Sequence, residues 1–153
     1  MPLNNRIWGN AYRLTTICVD SYENGVPEGR FYNPYIEEGE QFQSLTQFLL
    51  RMETLLDGMD FPQSSTSRRS FAHAPPHEIR FPAITAARKG KLATFHLRVL
   101  FRQHASWQGS LYWMEEDREE SFRSVLELIL LMESALTRRF ENEPDRPEKV
   151  SSA

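Results

Sequence analysis

Several residues in this 153-residue chain have the types and spacing for chemistry. His73 and His77 stand in the H-x3-H spacing that, on a helix, turns two imidazoles toward zinc. Pro75 and Pro76 lie between them and break the helix that geometry needs, so no metal site is expected. Glu53 and Glu133 occupy matching places in two similar helices, and would serve as an acid–base pair if those helices brought them together. Each also borders an apolar stripe, where a solvent-facing glutamate is the ordinary occupant. Cys18 and His96 supply a nucleophile and a base without an evident orienting acid. With no Gly-rich phosphate loop either, the sequence points to no catalytic residue and no cofactor.

Binding chemistry is better represented. Phe95, Leu97, Val99 and Phe101 alternate with His96, Arg98, Leu100 and Arg102, the period of two of a half-buried strand. If the apolar set faces the core, His96, Arg98 and Arg102 face outward, with Tyr112 or Trp113 beside them on the next strand. Basic groups interleaved with rings on an open sheet suit single-stranded nucleic acid, whose phosphates pair with arginine and whose bases stack. Pairing of these arginines with acids of the first half, such as Asp20, is the plainer alternative. Trp107, at the expected hairpin tip, reads either as an aromatic contact on the candidate surface or as a ring folded back over its own hairpin. Charge is uneven: residues 64–92 carry a net of +5 and leave −8 for the rest. Arg68, Arg69, Arg88, Lys89 and Lys91 make this segment a candidate arm for an anionic partner, the plainer alternative being a solvated linker kept soluble by its charge.

These residues are positioned by what reads as an internal repeat. Shifted by 80 residues, positions 42–57 match 122–137 without a gap at six of sixteen positions. The offset extends to Val19/Val99, Gly29/Gly109 and Tyr32/Tyr112. Ser44-Leu45-Thr46-Gln47 and Ser124-Val125-Leu126-Glu127 both read as capping boxes. Each is followed by an apolar stripe at i, i+3, i+4, i+7, with Gly58 as the expected stop of the first helix. Asn24-Gly25 predicts a tight hairpin. The acidic run from Glu115 to Glu120 lies just before the second helix, where it favours the dipole and needs no metal to explain it. The expected fold is α+β: a single domain over 1–153 with a duplicated ββα unit, residues 12–58 and 92–139. The units would form one antiparallel sheet with two helices on one face, joined by a basic, proline-containing linker (62–91) and followed by a disordered tail (141–153).

A net charge of −3 excludes a uniformly basic nucleic-acid coat, and no apolar run is long enough to span a membrane. A single cysteine excludes a disulfide framework, and a cytoplasmic setting is expected. Phe101-Arg102-Gln103 through Trp107-Gln108-Gly109, followed by the Phe122–Leu128 helix start, resembles a family of small bacterial proteins to which no activity is assigned. The expected function is non-catalytic binding of an anionic partner, nucleic acid foremost, through the open face and the linker. The rival is a protein-interaction module that dimerises or docks through the second helix. There Leu126, Leu130 and Leu131 widen the apolar surface unless Ile79, Phe81 and Ile84 of the linker cover them. A small enzyme is the third possibility.

Overall fold

A computed structural model describes residues 10–36, 38–64 and 88–141. The linker residues Arg68, Arg69, Ile79, Phe81 and Ile84, the pair His73 and His77, and the tail beyond 141 lie outside the described residues.

Three strands, β1 (Leu14–Glu23), β2 (Val26–Tyr32) and β3 (Glu40–Phe42), precede helix α1 (Leu45–Met59). Three more, β4 (Ala93–Phe101), β5 (Gln108–Trp113) and β6 (Arg118–Phe122), precede α2 (Val125–Glu141). Each half therefore has three strands, not the two that the sequence pattern predicts. The third strand is missed because it is short in one half and polar in the other. Glu40–Phe42 has three residues, and in Arg118–Phe122 only Phe122 is buried. Both are edge strands, where charge discourages pairing with other chains and erases the alternating signal. The acidic run before α2 is thus a turn followed by the first residues of β6.

All six strands form one antiparallel sheet in the order β3-β2-β1-β4-β5-β6. Thr16 pairs with His96 and Cys18 with Thr94 where β1 meets β4 at the centre. Ile17, Val19, Phe31, Phe42, Phe95, Leu97, Leu111 and Phe122 point to one face and share a core with both helices. Phe31 and Phe48 meet edge to face at 5.4 Å, a geometry that adds about 0.5–1.5 kcal/mol beyond burial.

The caps form at both helices. Ser44 Oγ accepts from Gln47 N–H and Ser124 Oγ from Glu127 N–H. The reciprocal bonds run one residue further back than a standard capping box: Gln43 N–H donates to Gln47 and Arg123 N–H to Glu127. Helix α1 runs past Gly58 and ends where Asp60 takes a left-handed conformation (φ 51°), just ahead of Pro62.

A bulge recurs at the same place in both halves. Pairing slips between Val19 and Ser21 on β1 and between Val99 and Phe101 on β4. Opposite each slip stands a glycine, because a Cβ on Gly29 would overlap the Cys18 carbonyl oxygen and one on Gly109 the Arg98 carbonyl oxygen. An inserted residue reverses the face of everything after it. Tyr22 and Arg102, 80 residues apart, are thereby turned toward the helices.

Candidate binding face

The face of the sheet away from the helices has two regions. Its second-half region centres on β4. Register places Arg98 between Leu14 and Ser110, and His96 between Thr16 and Tyr112. The His96 and Tyr112 rings lie 5.9 Å apart and tilted by 39°. Arg98 is exposed, and among the described residues no carboxylate pairs with it. The bulge then brings Phe101 onto this face, 57% exposed. A ring, a free guanidinium and an imidazole–phenol pair so occupy one surface. Burial, and then the nearby Arg98 charge, lower the His96 pKa, so the imidazole is neutral at pH 7. The Tyr112 hydroxyl donates to Asp117, which raises the tyrosine pKa.

Arg102 was expected here and is not. The bulge swings it to the helix side, where it is 3% exposed. Its guanidinium donates to Glu53 at 2.9 Å, to Asp57 at 2.6 Å and to the Pro62 carbonyl at 2.5 Å. Trp107, also buried, donates its indole N–H to the same Glu53 at 2.5 Å. Both side chains therefore tie the β4–β5 hairpin of the second half to the helix of the first. Glu53 is held by these two donors and not by Glu133, which is exposed beside Tyr22 and Pro27 of the opposite hairpin. Trp113 is also buried: it pairs with Phe95 in register, on the core side. Of the six candidate residues, His96, Arg98 and Tyr112 share the open face, while Arg102, Trp107 and Trp113 belong to the interior. Sequence reasoning missed Phe101, although Gly109 opposite a strand of alternating residues is a bulge signal.

The first-half region of the face is covered. Residues 88–91 lie along it: Arg30 donates to the Lys89 carbonyl, Lys91 N–H to Asp20, and Arg88 sits 5.1 Å over the Tyr32 ring. Asp20 pairs with Arg30, not with an arginine of β4. Cys18 lies beneath this crossing without exposure, and burial pushes its thiol up to about 11. At neutral pH it is therefore a protonated thiol, not a nucleophile. Arg88, Lys89 and Lys91 keep exposed side chains at the border of the face.

On the helix side, Leu126 and Leu130 are 63% and 55% exposed, and Leu50, the counterpart of Leu130, is 63% exposed. Leu131 differs from them and packs against the core. Among the described residues no cluster of His, Cys, Asp and Glu has the arrangement to hold a metal, and no helix is long and apolar enough to cross a membrane. No family model, curated protein or solved structure matches the chain.

Proposed function

We propose that the second-half region of the open face binds an anionic polymer with stackable rings, single-stranded nucleic acid foremost, without catalysing a reaction. The observation that carries this is the bulge at Val99, which puts the Phe101 ring on the same surface as the unpaired Arg98 and the His96–Tyr112 pair. Arginine meets phosphate while rings stack on bases. Arg88, Lys89 and Lys91 extend the basic surface, and Arg68 and Arg69 would lengthen it. Anisotropy of a labelled oligothymidylate should report binding by the wild type at low salt. Replacing Phe101→Ala and Arg98→Ala together should weaken it by about tenfold or more, since one stacked base alone contributes ~1–3 kcal/mol. An affinity unchanged in that variant would remove this surface from the function.

The exposed Leu50, Leu126 and Leu130 favour a second reading, a protein partner or second copy seated on the helices. Self-association that persists at raised salt, with no oligonucleotide binding, is its signature. Cytoplasmic residence and the bacterial family remain part of the proposal.

We also infer that the halves are copies of one βββα unit. Bulge, opposing glycine, cap and helix all recur at the 80-residue offset. On this account Gly29→Ala and Gly109→Ala should each cost about 1–3 kcal/mol, as overpacking does. Equilibrium denaturation in which only one of them matters would count against equivalence.

A further inference from the structure

The helix side of the second half contains a half-open cavity of about 290 Å³ between α2 and strands β5 and β6. Its floor is apolar: Phe95, Leu111 and Trp113 from the sheet, and Leu131 from the helix. Its rim is charged, with Arg118 and Glu120 on β6 and Ser134 and Arg138 on α2. Among the described residues neither arginine is paired with Glu120 or with any other carboxylate. One guanidinium is thus in excess at the mouth. In the floor, the buried Trp113 ring has an indole N–H without a partner among the described residues. An unsatisfied buried donor normally finds an acceptor, because leaving it bare costs the desolvation of the group.

The first half closes the same place with its own residues. The counterpart of Trp113 is Asn33, whose amide donates to the carbonyls of Tyr12 and Leu14. The loop after β2 sends Tyr35 to donate to the Gly58 carbonyl, where the second half has Arg138. Ile36 packs on the core beside it. In the second half a tight turn, 114–117, replaces that loop and nothing described covers the opening. A position that one half plugs and the other leaves apolar, basic and unsatisfied has the character of a ligand site.

We propose that this cavity binds a small carboxylic acid with an apolar body. The body lies on Phe95, Leu111 and Leu131, and the carboxylate meets Arg118 and Arg138 in charge-assisted hydrogen bonds. The volume is at the lower end of the roughly 300–1,000 Å³ typical of small-molecule pockets, which limits the ligand to a compact molecule.

Sodium octanoate is the test ligand, titrated into the ¹⁵N-labelled full chain while the indole N–H peaks are followed. The Trp113 peak is assigned with Trp113→Phe. It should shift saturably, with half-saturation near or below about 1 mM, while the Trp107 peak stays in place. Octanol, which lacks the charge, should bind at least about tenfold more weakly. Arg118→Gln combined with Arg138→Gln changes only exposed side chains, and should raise half-saturation by about tenfold or more. Ser134→Trp, also at an exposed position, should fill the mouth and abolish the shift. The proposal is overturned if the wild-type Trp113 peak does not move. Equal shifts of Trp113 and Trp107, octanol binding as well as octanoate, or unchanged affinity in the arginine variant would overturn it equally.

Discussion

In the first half, Ile36 packs on the core on the helix side while Tyr35 bonds to the Gly58 carbonyl, and residues 88–91 cross the opposite face above Cys18. In the second half neither cover is present among the described residues: Phe101 and Arg98 stand open on one side of the sheet, and the Arg118–Arg138 cavity opens on the other. Both halves have the same strands, bulge and cap, so the difference lies in loops and a few side chains. The same arrangement of strands is covered in one half and leaves side chains accessible in the other, as expected where loops decide what a rigid frame exposes.

The largest effect expected from breaking this comparison is at Arg102. It is a crossing point between the halves, buried and bonded to Glu53, Asp57 and Pro62. Arg102→Ala should cost about 2–4 kcal/mol, less than a fully enclosed ion pair because Asp57 is 45% exposed in its side chain. Arg98→Ala, four residues earlier on the same strand, should change stability by less than about 0.5 kcal/mol. Urea denaturation of the two variants reads the difference. Equal costs would mean that the bulge does not separate the two arginines.

A smaller effect, dependent on pH, belongs to Glu40 in the first half. This side chain is buried, and one of its oxygens has no partner among the described residues. Burial raises its pKa from 4.5 to about 7, against a lowering by Arg51. The folded chain therefore holds the proton more tightly than the unfolded one. Stability from this group is full below pH 4.5, falls as pH rises toward 7, and is level above. Glu40→Gln should remove the fall and stabilise the protein at pH 8 by up to about 2–3 kcal/mol. Denaturation at pH 4 and pH 8 checks this. Its counterpart Glu120 is exposed at the cavity rim.

Much of this architecture was legible in the residues, and the failures have local causes. Helix α2 was readable because its stripe and Ser124 cap agree, and β4 because Phe95, Leu97 and Val99 alternate cleanly. Alternation was then carried one step too far. The inserted residue after Val99 put Phe101 outside and Arg102 inside, the reverse of what strict period two predicts. Trp107 in a turn reads equally as a contact ring or as a ring folded back over its own hairpin, and either Tyr112 or Trp113 reads as the ring beside Arg98. Both indoles are buried: Trp107 spends its N–H on Glu53, and that of Trp113 has no partner among the described residues. The burial of Glu40 had no sequence signal at all, since an acid in a three-residue edge strand looks solvated.

The central claim is that Arg98 meets phosphate on the second-half face. It is tested most directly by the salt dependence of oligothymidylate affinity, measured by anisotropy for the wild type and Arg98→Gln. Each phosphate contact on a single strand contributes about −0.7 to the slope of log affinity against log salt. The account predicts a slope shallower by about that amount in Arg98→Gln, with the fold intact by circular dichroism. It also predicts a steeper wild-type slope at acid pH, where the neutral His96 gains its charge. A variant slope equal to the wild type's would contradict it.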